Sequence, residues 1–457
     1  MIVIGGGAGG MSAARTGARI RHRSGANDGR VALVQDGPVG GDCTFTGCVP
    51  SKTLIEAAAQ GIRFDDAMCR VHATVERIAA TETADVLRGE GIDVLDGRAT
   101  LASAGSVRVD GRLLTASKLV LATGTAPAVP PIDGLADGPY LTNETVWGLT
   151  AAPTSLAVLG GGPIGCELAQ AFSRFGVTVT VIEAADRLLV KEEREASDVL
   201  AEVFARDGID VRLGAKAVRV EHLADGSVRV RLEDGSTVEA QRLLVAVGRT
   251  PVTDGLELDA AGVRRDSGGF IATDDHLATN VRGIFAVGDV TGRLQFTHAA
   301  DEMGRIAALN ALRWPLRMRF RAASTPWVTF THPEVGRVGL SEAQAVERGG
   351  RVAYLPLSRV DRAIAANETD GFVKLIAGPR RVTGHAGGGR LLGATVVASR
   401  AGEMIHELAL AVRTGMFTGR LAQTVHAYPT WSTAIRSAAA QFFVEVDGCR
   451  ARDARPD

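Results

Sequence analysis

An α/β fold with two βαβ units, followed by an α+β domain, is what this sequence predicts, and three observations carry the prediction. A short β-branched or apolar run meets a glycine cluster at residues 2–10, and the same pattern returns about 155 residues later at 156–165. Glycine is enriched, with 55 in 457 residues, where the usual share is about 7%, and many of these glycines close apolar runs. From about Ala322 the character changes to strand-like runs and then a helix, with no glycine turn between them. At roughly 100–200 residues per domain the length fits two to four domains.

The elements follow in order. Residues 2–4 read as a strand, Met11 to Ile20 as an Ala-rich helix, and Val31 to Val34 as the next strand. Arg21 to Arg30 between them is polar and contains glycine, so a surface loop is expected there. A helix runs through Leu54–Ala59. The second unit starts near Pro153, with a strand at Leu156–Leu159, a turn at Gly160–Gly165, a helix at Cys166–Phe175 and a strand at Val177–Ile182. Gly176 is placed to stop that helix. Alternating short strands with tight turns fill 217–247. Val328–Phe330, Phe372–Ile376 and Leu391–Val397 read as strands, and the stretch around Ile405–Leu410 as a helix. The residues after Cys449 are polar and are expected to fray.

Composition excludes several classes. Apolar residues are 46% and charged residues 23%, which is ordinary for a globular protein and rules out a mainly disordered or collagenous chain. Lys+Arg 51 against Asp+Glu 52 leaves a formal charge of -1, so nothing points to nucleic acid or an anionic membrane as partner. No apolar run approaches the ~18–20 residues that span a bilayer. The opening Met1-Ile2-Val3-Ile4 has no secretory pattern. Five cysteines are too few for a disulfide-stapled scaffold, so a cytoplasmic location is expected.

Three motifs carry chemistry. Gly5-x-Gly7-x-x-Gly10 lies between a strand and a helix, where glycines admit a pyrophosphate and the helix N-terminus offers free N–H groups. The acidic residue expected at the end of the second strand is replaced by Gln35, with Asp36 after it; either could reach a ribose hydroxyl. Gly160-x-Gly162-x-x-Gly165 repeats the pattern, with Glu183 closing the next strand 23 residues after Gly160. A carboxylate there repels a 2′-phosphate, which tilts the second site towards NADH over NADPH. Arg187 nearby could soften that tilt, but it reads first as a solvated charge. Two such fingerprints imply two bound dinucleotides. The third motif is Cys43-Thr44-Phe45-Thr46-Gly47-Cys48-Val49-Pro50-Ser51-Lys52. A buried structural pair or half of a metal site are alternatives, but no second Cys/His cluster supplies further ligands, and a redox-active disulfide is the better reading.

The segment from Gly40-Gly41-Asp42-Cys43 to Lys52 resembles the active-site segment of the FAD-dependent pyridine nucleotide–disulfide oxidoreductases, the family of dihydrolipoamide dehydrogenase, glutathione reductase and mercuric reductase. The resemblance continues through Thr123-Gly124-Thr125-Ala126-Pro127, Val247-Gly248-Arg249-Thr250-Pro251, Ile284–Asp289 and Phe330-Thr331-His332-Pro333-Glu334-Val335-Gly336. It implies two Rossmann-like dinucleotide-binding domains, for FAD and NAD(P), plus an α+β C-terminal dimerisation domain. The expected bounds are 1–150 and 273–321 for FAD, 151–272 for NAD(P), 322–450 for dimerisation, and a tail at 451–457.

By that resemblance Cys48 is the flavin-side sulfur and Cys43 the exchange sulfur that meets substrate. Lys52 sits by the flavin and Glu167 pairs with it, a cation there offsetting the charge that reduction creates. Gly41, Thr123, Gly124 and Gly248 fall in cofactor-contacting motifs. Asp289 accepts from the ribityl chain, and Gln295, Phe296, Thr297 and His298 pass the pyrimidine side of the ring, His298 as a packing residue. The departure is at the C-terminus. The family's His-Pro-Thr-x-x-Glu segment is here Tyr428-Pro429-Thr430-Trp431-Ser432-Thr433. Tyr428 stands for the histidine and Thr433 for the glutamate, and a phenol of pKa ~10 is a poor proton shuttle at neutral pH. His426 reads as structural. Asp42, beside Cys43, should disfavour the exchange thiolate. Tyrosine here resembles mercuric reductase, whose C-terminal cysteine pair is represented only by Cys449; no resident metal site is expected.

The sequence therefore reads as a homodimeric NAD(P)H oxidoreductase passing electrons through FAD and the Cys43–Cys48 disulfide to a small-molecule or metal-ion acceptor, mercuric reductase-like, with a metal ion or a quinone favoured. Dihydrolipoamide dehydrogenase is the alternative enzyme. A flavin redox sensor or complex subunit of low turnover is the alternative from another class.

Overall fold

The computed structural model describes residues 1–24, 30–313, 315, 317–380 and 382–456. The chain forms two compact units: residues 1–129, 141–151 and 248–322 in the first, and 130–140, 152–247 and 323–457 in the second.

In the first unit, β1 (Ile2–Ile4), α1 (Ala8–Ser24) and β2 (Ala32–Gln35) make the opening βαβ turn. β1 is buried throughout, as a short β-branched strand covered on both faces must be. It is central in a five-stranded parallel sheet ordered Ile284–Ala286, Leu119–Leu121, β1, β2, Asp93–Asp96. Helix α1 is longer than the Met11–Ile20 expected from its alanines. It takes in Gly9 and Gly10 at its start and the polar Arg21–Ser24 at its end, part of the Arg21–Arg30 stretch expected as a loop; residues 25–29 of that stretch lie outside the described residues. Gly9 belongs there because the helix Thr297–Leu312 crosses it closely: a Cβ on Gly304 would stand 2.1 Å from the Gly9 carbonyl oxygen. α2 (Cys48–Ala59) starts on the second cysteine and carries Leu54, Ala57 and Ala58 inward.

In the second unit, β3 (Ser155–Leu159), α3 (Pro163–Arg174) and β4 (Thr178–Ile182) repeat the motif. α3 starts three residues before the expected Cys166 because Gly162 caps it and Pro163 takes the first helical position, where a missing N–H costs nothing. Its parallel sheet runs Asp210–Arg212, β4, β3, Arg242–Val245, and an antiparallel three-stranded sheet covers 217–240. The C-terminal part of the unit is a six-stranded antiparallel sheet ordered Trp327–Thr329, Glu334–Gly339, Arg390–Ala398, Phe372–Gly378, Arg351–Pro356, Arg452–Asp453. Ile405 and Leu408 from the helix Ala401–Thr414 join its core, with Ile435 and Ala438 from Thr433–Ala440.

The tail does not fray as expected. Arg452–Asp453 pairs with Arg351 and Val352 as an edge strand, and the Arg452 guanidinium grips Glu342. Glu342 also accepts the buried Lys374 ammonium at 2.7 Å, which lies 2.9 Å from Glu193 and 2.8 Å from Glu195. Burial works against the Lys374 charge, but Glu193, Glu195 and Glu342 more than offset it and hold the ammonium above the ordinary lysine range. Among the described residues no helix is long and apolar enough to cross a membrane.

Candidate active site

Both glycine loops have the same backbone geometry. In the first, Gly5 has φ +104°, and a Cβ on Gly10 would stand 1.8 Å from the Gly5 carbonyl oxygen; in the second, Gly160 has φ +111°, and a Cβ on Gly165 would stand 2.0 Å from the Gly160 oxygen. The middle glycines do the opposite and open outwards. A Cβ on Gly7 would meet only Gly41 Cα at 4.0 Å, and one on Gly162 would meet nothing within 4 Å. Each loop therefore leaves a clear cradle at a helix N-terminus, which is what a pyrophosphate requires.

The side chains at the strand ends differ. Gly6 N–H donates to Gln35 Oε1, and Gln35 Nε2 donates in turn to the carbonyls of Asp36 at 2.9 Å and Pro38 at 3.3 Å. In the second loop Gly161 N–H donates to Glu183 Oε2 at 2.6 Å, and Ala185 N–H donates to Oε1 at 2.7 Å. Arg187 is not simply solvated: its Nη2 folds back to the Val190 carbonyl at 3.2 Å.

The cysteines flank a tight loop in the first unit. Cys43 lies in the short helix Gly41–Phe45 and Cys48 opens α2; neither is in a disulfide in this structure. Hydrogen bonding to Cys48 pushes the Cys43 thiol well above the ordinary range, and burial and the Glu82 carboxylate add to the rise. Cys48 Sγ lies 3.3 Å from the Oγ1 of Thr297, the first residue of the helix Thr297–Leu312. Lys52, four residues after Cys48 on α2, shares its face of the helix.

The loop is held from several sides. Thr44, buried, donates its hydroxyl to Glu82 Oε2 at 2.9 Å, and Thr46 donates to Asp42 Oδ1. Trp147 Nε1 donates to the Thr46 carbonyl at 3.0 Å. Asp42 Oδ2 accepts from Arg249, which also donates to Thr125 Oγ1 at 2.6 Å and to the Thr125 carbonyl at 2.9 Å. Thr125 Oγ1 in turn donates to Asp289 Oδ2 at 3.2 Å. Burial raises the Asp289 carboxyl above its usual range, with Arg249 partly opposing. The expectation that Asp42 would weigh on the Cys43 thiolate needs correcting. The Asp42 carboxylate is turned into an ion pair with Arg249, and the carboxylate that raises Cys43 is Glu82.

Other expected cofactor residues are placed nearby in sequence order. Thr123 Oγ1 donates to the Val252 carbonyl at 2.7 Å, Val252 N–H to the Gly124 carbonyl at 3.0 Å, and Ala128 N–H to the Gly248 carbonyl at 2.9 Å. Gln295 Nε2 is buried with no hydrogen-bond partner among the described residues, and Phe296 stacks on His298 with ring centroids 5.7 Å apart. The orphaned amide of Gln295 and the open cradle at Gly7 are what a bound FAD would satisfy; the cradle at Gly162 with Glu183 fits a nicotinamide dinucleotide.

In the second unit Glu167 is buried on α3, and its Oε1 accepts from Phe330 N–H at 2.8 Å. Tyr428 is 74% exposed, and its hydroxyl donates to Asp361 Oδ2 at 2.8 Å, which lifts the phenol above its ordinary range. Thr433 Oγ1 donates to the Thr430 carbonyl. His426 Nε2 lies 3.2 Å from Glu407 Oε2, a histidine–carboxylate contact whose acidic half the sequence did not signal. Cys449 Sγ accepts from Arg359 at 3.4 Å. Glu82, Trp147 and Glu407 were missed because each is joined to its partner only by the fold. Arg249 was within a noted motif but had no stated role.

Two dinucleotide cradles and a dithiol packed against one of the two units define a nucleotide-dependent oxidoreductase. Residues 1–304 match the family model described as pyridine nucleotide-disulphide oxidoreductase, and residues 325–439 match its dimerisation domain. The chain belongs to this family. It is 34% identical over 440 residues to a mercuric reductase of Bacillus cereus, covering 91% of this chain and 68% of that one. It is also 34% identical over 453 residues to a dihydrolipoyl dehydrogenase of Chlamydia muridarum, covering 94% and 93%. Among solved structures, the Cu(II) complex of the HOCl-induced flavoprotein disulfide reductase RclA from Escherichia coli superposes with a TM-score of 0.85 at 31% identity, covering 96% of this chain and 98% of that one. The family is FAD-dependent and uses NAD(P)H, and its members here are enzymes.

Proposed function

We propose that this chain is a homodimeric, cytoplasmic NAD(P)H oxidoreductase whose acceptor is a metal ion or a quinone, with dithiol exchange disfavoured. The observation that carries the reading is the Tyr428–Asp361 hydrogen bond. A phenol that already donates to a carboxylate, and is lifted further above pKa ~10, neither takes nor gives a proton readily near pH 7. Reduction of a metal ion or a quinone does not require the protein to return a proton to a departing thiol. A mercuric reductase among the relatives and a copper complex among the similar structures support the metal-ion arm.

When bound, FAD supplies two-electron exchange between a reduced nicotinamide and a disulfide. The chain's own residues do the rest. Gly7 and Gly162 admit the two pyrophosphates, and Glu183 turns away a 2′-phosphate, so NADH is favoured. Cys48, with Thr297 at the helix N-terminus, holds the flavin-side sulfur as thiolate, and Cys43 faces the acceptor. Lys52 would supply a cation near the ring. Asp289 and Gln295 hold polar groups of the cofactor. Tyr428 positions the acceptor and keeps its proton.

One observation favours a second reading. His426 and Glu407 form a histidine–carboxylate contact two residues from Tyr428, and that pair could serve a dihydrolipoamide dehydrogenase. Steady-state assays of the FAD-loaded enzyme with NADH and a panel of Cu(II), Hg(II), menadione and lipoamide separate the two. Turnover with a metal ion or menadione well above that with lipoamide is expected. Lipoamide as the best acceptor would overturn the first reading and favour the second.

A further inference from the structure

The redox loop contains two threonines, and each hydroxyl holds a carboxylate. Thr46 holds Asp42, and Thr44 holds Glu82 at 2.9 Å. The two carboxylates are in different electrostatic states. Asp42 is ion-paired with Arg249, whose side chain is only 11% exposed and whose Nε also lies 3.9 Å from Asp289 Oδ2. For Glu82 no ion pair within 4 Å is found among the described residues. Thr44 directly follows Cys43 and is buried, so its short hydroxyl link fixes the Glu82 carboxylate one residue from the exchange sulfur. A threonine side chain is stiff, and the contact spans the loop and the turn before the helix Ala84–Gly89.

We propose that Glu82 is a specificity-determining residue: a carboxylate anchored to Thr44, next to Cys43 in the chain, and without an ion-pair partner among the described residues, which favours cationic acceptors at this sulfur and disfavours anionic ones. The proposal rests on the reading of Cys43 as the exchange thiol, and it names the charge class of the acceptor. Its physical basis is the field of one fixed negative charge in a partly dry site, which acts on an approaching ion before any bond forms. Asp42 does not play this part because Arg249 answers its charge. Thr44 acts through Glu82 as a positioning residue.

Charged methanethiosulfonates read the field directly. The reduced, FAD-loaded enzyme is treated anaerobically with a cationic and an anionic reagent of the same size. In each case the cysteine thiolate forms a disulfide and methanesulfinate leaves, and the labelled peptide is identified by mass spectrometry. The ratio of cationic to anionic labelling rates at Cys43 should fall about three- to tenfold in Glu82→Gln, which keeps an acceptor for the Thr44 hydroxyl. Thr44→Val keeps the charge but frees it, and the ratio should fall by less. In the unaltered enzyme the ratio should drop towards one as salt rises. An unmoved ratio in Glu82→Gln, or a salt-independent ratio in the unaltered enzyme, overturns the proposal. Labelling confined to Cys48 would overturn the assignment of the exchange thiol and this inference with it. Labelling of Cys43 with the expected ratios but no metal-ion turnover supports this inference while counting against the proposed acceptor.

Discussion

The first and second glycine loops share a backbone and differ in one functional group. Both turns are closed by a glycine on which a Cβ would stand about 2 Å from the opening carbonyl oxygen and opened by a middle glycine, so backbone sterics alone build the two cradles. At the strand end, one loop is tied by the neutral Gln35 and the other by the anionic Glu183, each accepting from the second glycine's N–H. The shared part makes a dinucleotide site; the differing part decides what the site tolerates. Glutamine keeps the capping bond without a charge, whereas glutamate adds one, and under the proposed function that charge disfavours a 2′-phosphate.

The largest effect should come from breaking the shared geometry. Gly10→Ala or Gly165→Ala drives a Cβ into a carbonyl oxygen and should cost on the order of 3 kcal/mol locally. The two variants should fail differently. Gly10→Ala should purify with little of the yellow flavin absorbance, while Gly165→Ala should keep the flavin and lose reduction by NADH. Absorbance spectra before and after NADH check both, and identical failures would mean the loops are not separate sites. A smaller effect should follow from exchanging the differing groups. Glu183→Gln should shift the NADPH-to-NADH ratio of kcat/KM towards NADPH by on the order of tenfold, the equivalent of ~1.4 kcal/mol. Gln35→Glu should leave that ratio alone and change only flavin affinity, measured by reconstitution of apoprotein.

Restoring the absent dyad probes the other departure. Tyr428→His with Thr433→Glu should raise lipoamide turnover about tenfold or more, since positioned acid–base groups are worth ~10²–10⁴. No gain would place the barrier elsewhere. The smallest effect concerns the phenol alone. Because hydrogen bonding to Asp361 raises the Tyr428 pKa, Asp361→Asn should let it fall back towards ~10. Ultraviolet tyrosinate titration, with Tyr428→Phe as the difference reference, checks this. Tyr354, which burial pushes up to about 12, should stay silent over the same range.

The sheets, the two glycine loops and the cysteine loop were legible because their determinants are local. A glycine that must approach a carbonyl, or a β-branched strand buried on both faces, declares itself within ten residues. Element ends were less so. α1 absorbs Gly9, which the helix Thr297–Leu312 crosses closely, a tertiary reason that propensity cannot anticipate. The Arg452–Asp453 strand is two residues long and exists through pairing with a strand a hundred residues away. The contacts that tune the cysteine loop are also distant in sequence: Thr44 reaches Glu82 across 38 residues and Asp42 reaches Arg249 across 207. No spacing rule encodes them, so the chemistry was readable and its electrostatic setting was not.

The central claim is that Cys48 is the sulfur that senses the flavin and Cys43 the one that meets the acceptor. Anaerobic titration of the FAD-loaded protein with NADH tests it most directly, in the unaltered enzyme and in Cys48→Ser. The account predicts a long-wavelength charge-transfer absorbance after two electrons, present in the unaltered protein and in Cys43→Ser and gone in Cys48→Ser. Persistence of that band without Cys48, or its absence from the unaltered protein, would contradict the account.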